Sequence, residues 1–133
     1  FAHVQRYIDA AAELMERSDA LAPAHEAFLN YMIASLCGDT GRVAEGMGYA
    51  QRAAHQYRLQ HNHAREFRAQ LTVCSLAQQV GAYPAALEAL SQARACYEIG
   101  RLESASYEAL LNAETHLAWY RGHLEEAFAT AQT

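Results

Sequence analysis

A chain of 133 residues with a formal net charge of −5 is long enough for one domain with a hydrophobic core, but it lacks the basic balance that nucleic-acid binding requires. No apolar run approaches the roughly 20 residues that span a bilayer, and no signal peptide is visible. About a fifth of the residues are alanine, the best helix former, and only 2 are proline. We therefore expect an all-α, cytoplasmic protein that binds neither nucleic acid nor membrane.

Apolar positions at three- and four-residue spacing predict an N-terminal helix within residues 1–20 and six further helices. The later helices are predicted at 23–38, 42–59, 64–80, 84–99, 103–121 and from 123 to the chain end. Pairing them gives helix–turn–helix units at 23–59, 64–99 and 103–133. Because the chain begins at Phe1 and stops soon after the last helix starts, we expect this single helical domain to be a piece of a longer protein.

Three glycines, Gly41, Gly81 and Gly122, stand about 40 residues apart, a spacing typical of helical-repeat arrays. Each is expected to form the turn inside one unit. Gly46 lies inside a predicted helix at a position that alanine occupies in the other units, so we expect a close helix–helix approach there. Gly48 has no comparable explanation, and Gly100 is expected to end its helix in a left-handed conformation.

The turn and second helix of each unit resemble the tetratricopeptide repeat, which has a glycine at the turn, an aromatic or aliphatic residue two positions on, and a small residue three further on. The matching sets are Gly41, Val43 and Gly46; Gly81, Tyr83 and Ala86; and Gly122, Leu124 and Ala127. The period is nearer 40 residues than the family's 34, and Glu114 and Thr115 depart from its pattern. The long form is similar to arrays in large bacterial regulators, such as LuxR- and MalT-type activators and diguanylate cyclase proteins. A HEAT or armadillo array has a comparable period but lacks the glycine-led turn.

The resemblance implies a superhelix of about three antiparallel helix pairs plus an N-terminal helix, whose first helices line a concave peptide-binding groove. The groove positions that it implies are Phe28, Tyr31, Ser35, Arg68, Leu71, Ser75, Gln79, Asn112, His116 and Tyr120. This mixture of aromatic, amide and cationic groups suits an extended or helical peptide. The groove could instead be filled by the continuing native chain or by a second copy. The family's clamp for a terminal carboxylate is not visible.

No GxSxG, P-loop or HExxH motif occurs, so the sequence predicts no enzyme activity, no cofactor and no metal site. The segment from His61 to His63, with His55 nearby, contains imidazoles that could bind a metal. A zinc site usually has four ligands, however, so we expect the segment to be a polar link between helices. Cys37, Cys74 and Cys96 lie in apolar helical runs and are expected to be free buried thiols.

Four arginines, Arg52, Arg58, Arg65 and Arg68, form a basic belt that either docks an acidic partner segment or is a solvated face paired with Glu66. Trp119 and Tyr120 end the sixth predicted helix, where exposure would favour self-association through the C-terminal face.

Together these features predict a non-enzymatic scaffold for protein–protein interaction or sensing, within a larger bacterial signalling or transcription-regulatory protein. One alternative is a small-molecule sensor with Tyr31, Arg68 and His116 in one closed pocket. The other is a structural module for homo-oligomerisation.

Overall fold

The computed structural model describes residues 2–17 and 23–132, which form six α-helices joined by short turns. The helices are α1 (Ala2–Arg17), α2 (Pro23–Asp39), α3 (Val43–Leu59), α4 (His63–Gln79), α5 (Tyr83–Gly100) and α6 (Ser104–Gln132). No strand occurs in these two ranges, so the predicted all-α class is confirmed. The expected ends of the first helix, at residues 1 and 18–20, lie outside the described residues. Within the described part, no helix combines the length and apolarity needed to cross a membrane.

The four turns from α2 to α6 share one backbone conformation, which recurs every 20 residues. Each turn has three residues and contains one residue with a positive φ: Gly41 at 80°, His61 at 55°, Gly81 at 75° and Arg101 at 48°. The next N–H donates to a carbonyl five residues back, as from Arg42 to Cys37 at 2.9 Å and from Ala82 to Ala77 at 2.8 Å. This is the hydrogen bond of a Schellman cap, which satisfies carbonyls at a helix end. The 40-residue glycine spacing is therefore twice a shorter structural period.

The last turn corrects one expectation about α5. Gly100 is the final helical residue, and Arg101 is the residue in the left-handed conformation. A Cβ on Gly100 would lie 2.7 Å from the Cβ of His63, which is closer than side chains approach. The glycine is therefore required by the contact between the end of α5 and the start of α4, rather than by a positive φ.

Helices that are neighbours in sequence pack against each other, and α4 also contacts both α2 and α6. Turns of three residues make consecutive helices antiparallel. The packing uses many small side chains: Ala34, Ala50, Ala77, Ala86 and Ala89 belong to one buried cluster. Ala86 has no exposed surface, and the three cysteines are buried and free, as expected from the sequence. An alanine-rich core lets the helices approach closely.

The predicted turn at Gly122 is wrong, because α6 continues through this residue as one helix of 29 residues. Gly41 and Gly81 each lie 18 positions after the first residue of the helix that precedes their turn. Gly122 lies 18 positions after the first residue of α6, and this matching position explains why a turn was predicted there. Two pairs at i,i+4 spacing bridge the glycine. Arg121 Nε donates to Glu125 Oε1 at 3.1 Å, and the rings of Trp119 and His123 stack with centroids 5.2 Å apart. Such pairs and the flanking helix formers offset the roughly 1 kcal/mol that an internal glycine costs.

Because α6 is continuous, the described residues contain two helix pairs with the expected glycine turn, α2–α3 and α4–α5, followed by one long helix. The seventh helix predicted from residue 123 is not a separate element.

Candidate functional site

Two adjoining cavities run along the face that α2 and α4 share. The larger cavity has a volume of about 730 Å³ and the smaller cavity a volume of about 430 Å³. The larger cavity also reaches the α5–α6 turn and the first turns of α6. Tyr31, Arg68 and Leu71 line both cavities and so connect them into one surface, which we call the α2–α4 groove. Its further walls are Phe28, Tyr57, Arg65, Arg101, Leu102, Glu103, Ser106 and Ala109 in the larger cavity, and Ser35, Asp39, Ser75 and Gln79 in the smaller.

Helical periodicity explains why the sequence places these side chains together. Residues three and four apart share one face of a helix, so Phe28, Tyr31 and Ser35 form a row along α2. Residues 68, 71, 75 and 79 form the matching row on α4, and the two helices pack side by side. Seven of the ten predicted groove positions therefore line the two cavities.

The other three predicted positions, Asn112, His116 and Tyr120, line neither cavity. The Nδ1 atom of His116 lies 2.7 Å from the Oε1 atom of Gln78, so this ring bonds α4 outside the groove. Ala109 does line the larger cavity. It occupies the position on α6 that corresponds to Phe28 on α2, because each lies the same number of residues before its glycine, Gly122 or Gly41. The groove thus reaches only the first turns of α6.

Sequence reasoning missed the third wall of the groove, which the turn at Arg101, Leu102 and Glu103 provides. The signal that could have located it is the 20-residue step from the turn at Gly81. The glycine pattern did not show this 20-residue spacing, because the left-handed residue at this turn is arginine rather than glycine.

The basic belt divides into arginines that are paired and arginines that are not. Arg58 pairs with Glu66, whose side chain is buried, at 2.9 Å, and Gln70 donates to the same carboxylate at 3.3 Å. Arg52 lies over the ring of Tyr49 on another face of the protein, 4.8 Å from the centroid.

The arginines of the groove belong to the unpaired group. Arg65 lies over the ring of Phe28, with the guanidinium carbon 5.8 Å from the centroid. Among the described residues, neither Arg65, Arg68 nor Arg101 forms an ion pair with a carboxylate.

The histidine segment before α4 forms a turn and a helix cap. His61 has a positive φ, and the Oδ1 atom of Asn62 accepts a hydrogen bond from the N–H of Arg65 at 3.2 Å. An asparagine in this position satisfies one of the free N–H groups of the first helical turn. Across residues 2–17 and 23–132, no cluster of three or more His, Cys, Asp or Glu side chains is placed to hold a metal ion.

The three thiols do not line the groove, and burial raises the pKa of each. Removal from water is the largest cause that raises the pKa of Cys96 to about 12, and the nearby Glu66 carboxylate acts in the same direction. A protonated thiol is a weak nucleophile. The groove itself offers aromatic rings, guanidinium groups and hydroxyls, which are groups suited to packing and hydrogen bonding.

Trp119 is 63% exposed on α6, and the self-association proposed through this region stays a prediction.

No protein-family model, curated protein or solved structure matches this chain. The chemistry and geometry of the α2–α4 groove therefore provide the basis for a functional proposal.

Proposed function

We propose that this protein is a non-enzymatic scaffold of the tetratricopeptide type that binds a protein or peptide segment in the α2–α4 groove. In this proposal the domain is the sensing or assembly segment of a larger bacterial signalling or transcription-regulatory protein. The observation that carries the proposal is the continuous surface on which Tyr31, Arg68 and Leu71 join the two cavities.

The shape of the groove favours a chain-like ligand over a compact one. The two cavities follow the paired faces of α2 and α4. Neutral polar residues such as Ser75 and Gln79 line the smaller one, whereas Phe28 and Arg65 line the larger one. An elongated ligand can place different side chains in each part. Affinity in such surfaces usually comes from a few aromatic and arginine anchors, which here are Phe28, Tyr31 and Arg68.

The test begins with a library of random peptides displayed on phage and selected on the immobilised protein. Selected peptides are then measured against Arg68→Ala and against Arg52→Ala, a matched control because Arg52 is exposed, makes no ion pair with a described carboxylate and lies outside the groove. We expect Arg68→Ala to weaken binding at least about tenfold, as for an anchor residue, with little change in thermal unfolding. Failure to enrich any peptide, or equal effects of the two variants, would contradict the proposal.

Tyr31→Ala is a less clean variant, because Tyr31 packs against the buried cluster of Ala27, Ala53, Ala54 and Tyr57. We expect it to lower both peptide binding and the free energy of unfolding. Tyr31→Phe keeps the ring and serves as its control.

A small-molecule sensor is the second candidate, since about 730 Å³ lies within the usual range of ligand cavities. Tyr31 and Arg68 line this cavity together, whereas His116, the third residue expected in it, bonds Gln78 instead. A screen of small carboxylic acids by thermal shift distinguishes the candidates. A compound that raises the melting temperature of the native sequence, but not of Arg68→Ala, would favour the sensor.

A further inference from the structure

The larger cavity of the groove has a charge opposite to that of the whole protein. The chain has a net charge of −5, yet three arginines line this cavity and Glu103 is the one carboxylate among its lining residues. A local excess of positive charge in a concave surface concentrates the field there and attracts a negative group. The rest of the surface repels that group, so binding is directed to this place.

The pairing of the arginines makes this excess more specific. Four arginines in the described ranges pair with nearby carboxylates: Arg42 with Glu45, Arg58 with Glu66, Arg94 with Glu98 and Glu114, and Arg121 with Glu125. Arg65, Arg68 and Arg101 make no ion pair with a carboxylate in the described part of the chain. A guanidinium binds a carboxylate through two parallel hydrogen bonds, and these three have that capacity free.

Apolar side chains line the same cavity as the three arginines. Phe28 is 44% exposed beneath the guanidinium of Arg65, while Leu71 and Leu102 are half-buried in the cavity walls. The attraction between a cation and an aromatic face uses none of the cation's N–H donors, so those of Arg65 stay available. The surface therefore offers both guanidinium groups for carboxylates and apolar side chains for packing.

We infer that the occupant of the groove is an acidic segment of a partner protein that contains both Asp or Glu residues and leucine or aromatic residues. Its carboxylates bind Arg65, Arg68 and Arg101, and its apolar side chains pack between Phe28 and Leu102. The smaller cavity contains Asp39 with Ser35, Ser75 and Gln79, so it accepts neutral polar residues of the same segment. This inference rests on the proposed function, because it names the chemistry of the peptide that the groove binds.

Single-stranded nucleic acid is the competing occupant, since stacked bases and phosphates also suit aromatic and arginine side chains. The net charge of −5 opposes it, because a nucleic acid extending beyond the groove would meet a negative surface. A short acidic segment whose charges all reach the arginines does not meet that repulsion.

The composition of the peptides selected from the phage library is the first test. We expect Asp and Glu to be enriched, and basic residues depleted, relative to the unselected library. If the selected peptides are neutral or basic, the groove still binds peptides and the proposed function stands, but the acidic inference is overturned. If no peptide is selected, both are overturned.

A double-mutant cycle is the second test. One selected peptide is synthesised with a fluorescent label, with and without its Glu residues replaced by Gln, and titrated against the native sequence and the double variant Arg65→Gln, Arg68→Gln. We expect the Glu replacements to weaken binding to the native sequence at least about tenfold and to have little effect on the double variant. Arg52→Gln is the matched control, and it should leave the peptide's Glu preference intact. Equal effects of the Glu replacements on both proteins would overturn the inference.

The same titration with a single-stranded oligouridylate tests the competing occupant. The inference would be overturned if the oligonucleotide bound more tightly than the acidic peptide and if this binding were lost in the double variant. We expect weaker binding of the oligonucleotide and a decline of peptide affinity with added salt, because surface charge pairs are screened.

Discussion

Gly46 faces Cys37 so closely that a Cβ on the glycine would lie 2.8 Å from the Cβ of Cys37, and 3.1 Å from the carbonyl oxygen of Ala34. One of these neighbours is backbone, so it cannot move aside as a flexible side chain does. The close approach expected from the sequence is thus confirmed, and it joins the last turns of α2 to the first turn of α3.

Gly46→Ala and Gly48→Ala should change stability in opposite directions, although both replace a glycine in α3. Alanine improves helix propensity at either position by about 1 kcal/mol. A Cβ at Gly48 meets nothing within 4 Å, so Gly48→Ala should raise the free energy of unfolding. At Gly46 the overlap of the new Cβ with α2 should outweigh the gain in helix propensity, so Gly46→Ala should lower the free energy of unfolding by about 1–3 kcal/mol. Urea unfolding measures both, and stabilisation by Gly46→Ala would contradict the close packing.

Gly122→Ala tests whether α6 continues through the third of the spaced glycines. In a continuous helix with open space around this residue, alanine should stabilise by about 1 kcal/mol. Gly81→Ala is the comparison, because Gly81 has a φ of 75° and alanine should cost about 1–2 kcal/mol there. The two variants are compared by thermal and urea unfolding. A loss of stability in Gly122→Ala similar to that in Gly81→Ala would indicate a turn at residue 122.

Ala86→Leu should lower the free energy of unfolding by about 1–3 kcal/mol, because the larger side chain overpacks a position with no exposed surface. Ala44→Leu is the control, since Ala44 is exposed in the first turn of α3 and its replacement should change stability by less than about 0.5 kcal/mol. Circular dichroism during urea unfolding gives both values. Equal, small effects would mean that α5 does not bury this face.

The free energy of unfolding should fall as the pH rises above 9, in part because of Cys96. Its pKa is about 12 in the folded protein and near the ordinary value of 9.0 when unfolded, so between these values only the unfolded thiol ionises. The stability that the buried, protonated Cys96 thiol contributes is therefore fully present below pH 9 and is lost as the pH rises toward 12. Cys96→Ala removes it, and unfolding measured at pH 8.5 to 10.5 should decline less steeply in that variant. Parallel declines would contradict the raised pKa.

The sequence predicts the all-α class, the start of α2 at Pro23, and the turns at Gly41 and Gly81, because composition and turn glycines are local signals. The turns at His61 and Arg101 use the same backbone without a glycine, so no local signal marks their left-handed residues. Their conformation follows from the packing of the helices on either side.

The groove could be predicted where it depends on helix periodicity, as at Tyr31 and Arg68, and not where it depends on the turn before α6. The error on α6 has a related cause. A glycine pattern indicates where a turn is permitted, whereas the contacts between Arg121 and Glu125 and between Trp119 and His123 act across Gly122 to continue the helix.

The three-residue turns also determine how quickly the chain should find its native state. Since each helix packs mainly on the helices next to it in sequence, most native contacts join residues that are close along the chain. Low contact order of this kind is associated with folding in microseconds to milliseconds. Each hairpin can close before the next one has been synthesised, so we expect the order of assembly to follow the order of translation.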